Sequence, residues 1–479
     1  MGGGLTQLVA SGGINSYIVS NPTISFFNYV YRKHTNFAIE NLILTFEKMP
    51  SNLTTMHLTV ENNVKLTSIA DIDLLSNLYF IFTLPAIYSN DIYKFRWVEN
   101  VGSLIIKKAT FEINNTIIDT ITGEWLVIWN ELILPVKDSY NDITGNVPAL
   151  NNPRKPETTI RIKNNIISDY DYLASDGITP SINSRDVCVP LNFWFSKNPS
   201  LALPIVRISS KNQIKLKMEF ENIENLYTIY SDIYNMHVSS IFYNDMHNTR
   251  IDINNFIKEN VFRAHIEATF IVLDKDERKV LLNTAVQQFL IEKLSIITNN
   301  FPAAVANTVN TIDIRSQIGI KEIIWTLNRG DSIFNFNNNF NYTYSIPKNN
   351  EKSILKNAKL IWDRSGGNPY FRVEEKDAYF YNKIQPYQYH SSIPMQGIYL
   401  YSFSLYPEKW FPSGFYNGAY VTTTLNMTFN PYENNYIDTI YAKKSYVNGH
   451  NKNIYCKVYV MEYNILELNG DNIDFKFAN

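Results

Sequence analysis

The chain has 479 residues, 45% of them hydrophobic and 18% charged, with 43 basic against 45 acidic side chains and a net charge of −2. That composition excludes wholesale disorder, and the charge balance excludes a generally basic nucleic-acid binder working through phosphate neutralisation. Two cysteines far apart, Cys188 and Cys456, exclude a disulfide framework and a cysteine-based zinc site and suit a reducing compartment. Asn makes up about an eighth of the chain, and Tyr and Phe are abundant, as in AT-rich coding. Asn-rich stretches such as Asn335 to Asn341 then read as loop filler.

In chain order, residues 1–25 carry glycines and no basic region ahead of an apolar stretch, so no secretory signal is expected. No apolar run reaches the roughly 18–20 residues that cross a bilayer. Phe95 to Val101 predicts a short helix closed by Gly102. Glu124 to Leu134 predicts a longer one, with Trp125, Ile128, Trp129 and Leu132 on one face and Pro135 as the stop. Strict alternation predicts strands over Gln213 to Phe220, His265 to Leu273, Ile398 to Leu405, Val421 to Phe429 and Ile454 to Leu466. One wet and one dry face is the mark of antiparallel sheets. Asp274 and Glu277 read as the cap of a helix after the second of these strands. Two polar stretches, Val136 to Ser184 and Arg329 to Ile354, read as surface projections. A division falls near 223–261.

Catalytic and cofactor motifs are absent: no phosphate loop, dinucleotide turn, zinc-protease helix or serine elbow. The seven histidines form no metal pair at helical spacing. No catalytic, cofactor or metal residue is therefore assigned. Asn52, Asn114, Asn341 and Asn426 head Asn-x-Ser/Thr sequons, of which Asn341 is expected to be the most reachable. Gly2 fits an N-myristoylation pattern, but a small flexible terminus is the simpler reading. Arg329-Gly-Asp331 matches a cell-adhesion tripeptide, which chance supplies often enough to discount.

Several segments carry a resemblance: Met1 to Phe46; WVENVG at Trp97 to Gly102; GEWLVIWNEL at Gly123 to Leu132; VCVPLNFWFSKNPSLALP at Val187 to Pro204; FIVLDKDERKVL at Phe270 to Leu281; FLIEKL at Phe289 to Leu294; QPYQYH at Gln385 to His390; and GIYLYSFSLYP at Gly397 to Pro407. In this collinear order the chain resembles the major capsid proteins of nucleocytoplasmic large DNA viruses. It departs from them after Pro412-Ser-Gly414, where Phe415 to Ala419 replaces the usual run, and in the tail Leu468 to Asn479.

The resemblance implies an all-β chain of two consecutive eight-stranded antiparallel jelly rolls, with a few short helices and long loop insertions. The expected layout is an N-terminal inner-face segment over 1–25, a first jelly roll over 26–225 with its long loop at 136–184, a linker over 226–260, and a second jelly roll over 261–479 with its long loop at 329–354. It also implies a homotrimeric pseudo-hexagonal capsomer in the virion capsid, assembled in the host cytoplasm. Implied partners are neighbouring capsomers, minor capsid and penton proteins and the internal viral membrane, with no direct nucleic-acid contact and no enzyme activity. A minor capsid paralogue of the same fold is the first alternative. A carbohydrate-binding or carbohydrate-cleaving β-sandwich is the second.

Overall fold

The computed structural model describes residues 37–58, 62–66, 72–89, 93–153, 179–208, 213–233, 235–283, 286–302, 308–316, 318–345, 352–363, 370–418, 422–431, 453–469 and 472–477. The first half contributes β1 (Phe37–Leu44), β2 (Asn62–Lys65), β3 (Leu74–Leu84), β4 (Phe95–Trp97), β5 (Ile106–Ile113), β6 (Thr116–Ile121), β7 (Arg185–Pro190), β8 (Ile214–Phe220), β9 (Tyr227–Ser231), β10 (Met236–Ser239) and β11 (Ala264–Leu273). The second contributes β12 (Val286–Phe301), β13 (Val309–Ile314), β14 (Gly319–Arg329), β15 (Leu355–Asp363), β16 (Tyr370–Asp377), β17 (Ile398–Ser402), β18 (Tyr416–Asn417), β19 (Thr422–Phe429), β20 (Ile454–Asn469) and β21 (Asn472–Phe475).

Four sheets make two sandwiches. The first half forms β1-β11-β3-β7 over β2-β8-β5-β6, and the second forms β12-β20-β14-β17 over β13-β19-β15-β16. Setting aside β4, β9 and β10 in the first half and β18 and β21 in the second leaves eight strands in each. Counted in chain order, both halves then read 1-8-3-6 in one sheet and 2-7-4-5 in the other. Two Greek keys folded this way are a jelly roll, so the chain is a double jelly roll.

The alternation seen in sequence becomes burial. β8 is buried at every second residue, from Ile214 to Phe220, and β11 buries Ala264, Ile266, Ala268 and Phe270. The first core stacks Phe80 on Phe82 and Phe220, with ring centroids 5.2 and 5.5 Å apart. The second centres on Trp325, with Tyr381 at 5.0 Å and Tyr399 at 5.8 Å.

Three expectations are corrected. β11 was expected to open the second jelly roll, but it is the eighth strand of the first, paired with β1 from Phe37↔Leu273 to Leu44↔Ile266 and with β3 on its other side. The stretch 226–260 is therefore no linker. It leaves the first sandwich after β8, forms β9, β10 and the helix Ser240–His247, and returns. Phe95–Trp97 is a strand paired with β9, burying Phe95 and Trp97 around Arg96. The short helix lies after it, at Val101–Leu104. Gly102 sits inside that helix because a Cβ there would come within 2.3 Å of the Thr144 carbonyl oxygen.

Candidate functional site

The helix Gly123–Ile133 forms where the sequence predicts it, capped by the Thr122 hydroxyl, which accepts from the Trp125 N–H at 3.2 Å. It is buried almost all round because it lies between two hydrophobic bodies. Trp125 and Trp129 stack on each other at 5.6 Å, and Trp125 meets Tyr459 of β20 at 5.4 Å. The Lys457 ammonium pairs with Glu124, and Tyr342 Oη donates to the same carboxylate at 3.2 Å. Glu131 accepts from the Met395 N–H at 3.0 Å. One face of β12-β20-β14-β17 thus closes the second core while the other closes against the first half, and β14 is buried along nearly its whole length.

Charge is buried in this seam. Glu292 of β12 holds Lys197 and Lys321, the latter at 2.7 Å, and Lys197 lies 4.6 Å over the Trp129 ring. Burial works against the Glu292 anion, but the two ammonium groups outweigh it and hold its pKa below the usual carboxylate value. Burial and the neighbouring Lys197 lower the pKa of Lys321. Beside them, the His390 Nε2 lies 3.0 Å from Glu322 and its Nδ1 3.2 Å from Glu408. Burial alone would push that imidazole down; the two carboxylates push it up to about 9. Asp119 of β6 accepts from the Thr120 N–H at 2.8 Å and, across the seam, from the Leu294 N–H at 3.4 Å. Burial raises its pKa to about 6. Each acid meets a cation or a backbone donor, which makes such groups tolerable inside a protein. Among the described residues, no cluster of His, Cys, Asp and Glu could hold a metal.

The sequence-predicted site residues do not converge. Asn52 accepts from the Thr55 N–H and hydroxyl at 2.9 and 2.8 Å, fixing a turn. Asn114 is exposed at the β5–β6 hairpin with φ 52°. Asn426 is half-buried on β19 opposite Thr311. Asn341 is only 1% exposed, contrary to expectation: its Nδ2 donates to the Ser345 carbonyl at 2.7 Å, and its Oδ1 accepts from the Thr343 hydroxyl at 2.8 Å. Gly2 and residues 1–25 lie outside the described residues, as do 154–178 of the first long loop and 346–351 of the second.

The described part of the second long loop is no projection. Phe340 and Tyr342 pack into the first core, and Asn337 Nδ2 donates to the Glu224 and Tyr227 carbonyls at 2.8 and 2.9 Å. The Asn-rich run therefore ties the two halves together. In Arg329-Gly-Asp331, Arg329 is 1% exposed, with its Nε donating to Asp331 at 2.9 Å, so the tripeptide is an internal ion pair.

Apolar side chains also lie uncovered. On β1, Phe37, Ile39 and Ile43 are 49%, 60% and 65% exposed. In the second half, Tyr379, Tyr387 and Trp410 are 64%, 78% and 47% exposed. Sequence reasoning placed none of these, because strand alternation does not say which sheet face meets another body.

A family model described as the major capsid protein N-terminus matches residues 25–258. One described as large eukaryotic DNA virus major capsid protein matches residues 277–472. A major capsid protein of Phaeocystis pouchetii virus is 26% identical, covering 86% of this chain and 90% of its own. The probable capsid protein 4 of Acanthamoeba polyphaga mimivirus is 24% identical, with 98% of both chains covered. Among solved structures, the PBCV-1 protein VP54 matches with a TM-score of 0.66 at 19% identity, over 95% of this chain and all of VP54. The Faustovirus major capsid protein matches with 0.62 at 12% identity, over 93% of each chain. These likenesses carry the double jelly roll fold.

Proposed function

The chain belongs to the major capsid protein family of large eukaryotic DNA viruses, and from that premise we propose that three copies form a pseudo-hexagonal capsomer that tiles an icosahedral shell. It is a structural protein of the virion capsid. The family match replaces the carbohydrate-active sandwich considered from sequence.

The observation that carries the trimer is the internal repeat. One chain holds two sandwiches of identical strand order, so three chains supply six similar units, enough to close a ring of near-hexagonal outline. Uncovered Phe37, Ile39, Ile43, Tyr379 and Tyr387 supply apolar surface of the kind obligate interfaces bury. In this reading assembly takes place in the host cytoplasm, neighbouring capsomers and penton and minor capsid proteins meet the trimer's rim and base, and residues 1–25 face inward toward the internal membrane. The test is the mass of the purified protein by light scattering behind a sizing column. Three times 55.5 kDa, persisting on dilution and at high salt, is expected; a monomer at every concentration overturns the reading. A lower-copy capsid paralogue is the second reading, favoured by the end-to-end match to a protein described as probable capsid protein 4. Copy number by quantitative mass spectrometry of particles separates the two.

A further inference from the structure

Between β17 and β18 the chain leaves the edge of the second sandwich as a loop, Phe403 to Phe415, that reads FSLYPEKWFPSGF. Its foot is a hydrogen-bonded frame. The Ser413 hydroxyl accepts from the Tyr406 N–H at 2.8 Å and lies 2.6 Å from the Ser404 hydroxyl. The Leu405 N–H donates to the Ser413 carbonyl at 3.3 Å. Above the frame, Tyr406-Pro407-Glu408-Lys409 is a tight turn with proline at its second position, closed by the Lys409 N–H on the Tyr406 carbonyl at 3.1 Å. On this frame the usual order of burial is inverted. Leu405, Tyr406, Trp410 and Phe411 are 63%, 57%, 47% and 41% exposed, with the last two rings edge-on at 5.7 Å. The Glu408 carboxylate instead turns back into the fold, accepting from the Ser391 N–H at 2.6 Å and lying 3.2 Å from the His390 Nδ1. Glu408 and Lys409 are the loop's two charged residues, so Lys409 is the one presented outward.

We propose that this loop is a lipid-docking element: Leu405, Tyr406, Trp410 and Phe411 enter the headgroup layer of a bilayer, and Lys409 meets lipid phosphate. Charge and composition select this occupant. Tryptophan and tyrosine favour the headgroup boundary, where an apolar ring keeps a polar edge in water. A lysine there gains from anionic lipid, and the one acid that would oppose it is held inside the fold. The frame sets these side chains before contact, so docking costs little ordering. The loop's place in the fold agrees. β17 ends opposite Glu322, close to where β14 begins, and β14 begins opposite Tyr463 of β20. β20 runs on to Asn469, the partner of Val286 at the start of β12. The helix Lys275–Asn283 joins that start to Leu273, which pairs with Phe37, the first residue of β1. Residues 1–36 therefore enter the fold at the end of the molecule that carries this loop. The inference rests on the reading in which residues 1–25 face the internal membrane, and it gives that end its lipid contacts. In a trimer three such loops act together, which turns weak single insertions into a stable seat.

The test is flotation of the full-length protein with phosphatidylcholine vesicles, with and without phosphatidylserine. Of the seven tryptophans only Trp410 is exposed, so brominated lipid should quench its share of the emission. Trp410→Phe should still float and should lose that quenching. Phe411→Asp should lower the partition at least about tenfold. Lys409→Gln should cut the advantage of the anionic vesicle about fivefold. All three side chains are exposed, so circular dichroism and the unfolding midpoint should match wild type. Light scattering on the same samples reads the capsomer separately. A trimer that ignores both vesicles overturns lipid docking, leaves a protein surface as the loop's occupant, and leaves the capsomer standing. Phe411→Asp that floats like wild type, or quenching that survives in Trp410→Phe, also overturns the docking. A monomer that floats with Trp410 quenched overturns the capsomer and leaves the docking standing; a monomer that ignores the vesicles overturns both.

Discussion

Raising the pH should loosen the seam at His390 before it loosens either sandwich core. The imidazole is buried between Glu322 and Glu408, with Trp129 edge-on at 6.0 Å. Its folded pKa of about 9 stands above the unfolded 6.5, so its contribution is fully present below pH 6.5 and is lost as the pH rises through about 9. At about 1.4 kcal/mol per pKa unit, that displacement is worth roughly 3 kcal/mol. Lys321 works in the opposite sense, because its folded pKa is lowered and the unfolded chain holds more protons on the alkaline side. The comparison must therefore be with His390→Gln rather than with wild type at another pH. Urea unfolding followed by tryptophan fluorescence, at fixed protein concentration from pH 6.5 to 10, reads both chains. Wild type should lose stability progressively from about pH 6.5 to about pH 9. His390→Gln should be weaker at pH 7, with Glu322 left buried, and should show a shallower alkaline fall. Parallel alkaline slopes in the two proteins would refute the assignment.

Asp119→Asn should stabilise the protein above pH 6 by at most about 3 kcal/mol, since burial raises the carboxyl to about 6 and ionising it costs stability there; the gain should vanish near pH 4, and a pH-independent effect would contradict it. Gly123→Ala should abolish soluble expression, because the new Cβ would lie 1.8 Å from the Ser103 carbonyl oxygen; normal yield and melting temperature would show that the backbone can yield. Asp331→Asn removes the carboxylate that pairs with the buried Arg329 guanidinium and should cost roughly 3–5 kcal/mol in urea unfolding. Peptide mapping of particle-derived protein should find Asn341 unmodified, because its amide is engaged inside the fold.

Much of the fold was legible because sheet burial has period two. The patterns at β8, β11 and β20 can be read directly, and the helix Gly123–Ile133 announces itself through its tryptophan spacing and Pro135. Alternation gives a strand's faces but not its partners, and so β11, adjacent in sequence to the second half, was assigned to the wrong sandwich. The same limit hid the seam. Lys321-Glu322 sits inside the apolar strand β14, and that breach of pattern was the one available signal that its outer face meets another body. Glu292, Lys197 and His390 come from distant segments, and only the tertiary fold brings their charges together. Asn335 to Asn341 misled for a related reason: a polar run that caps backbone carbonyls internally has the composition of a solvated loop.

The pairing of β1 with β11 also sets a clock. The first jelly roll cannot close until Leu273 has left the ribosome to meet Phe37, and at roughly 5–20 residues per second the nascent β1 waits about 10–50 s for its partner. Throughout that interval an apolar edge strand stands unpaired in a crowded cell. Long-range pairing of this kind is slow and exposed to aggregation. Dense polysomes would bring many such edges together, so the yield of assembly-competent subunits should depend on synthesis rate and chaperone supply as much as on the stability of the finished fold.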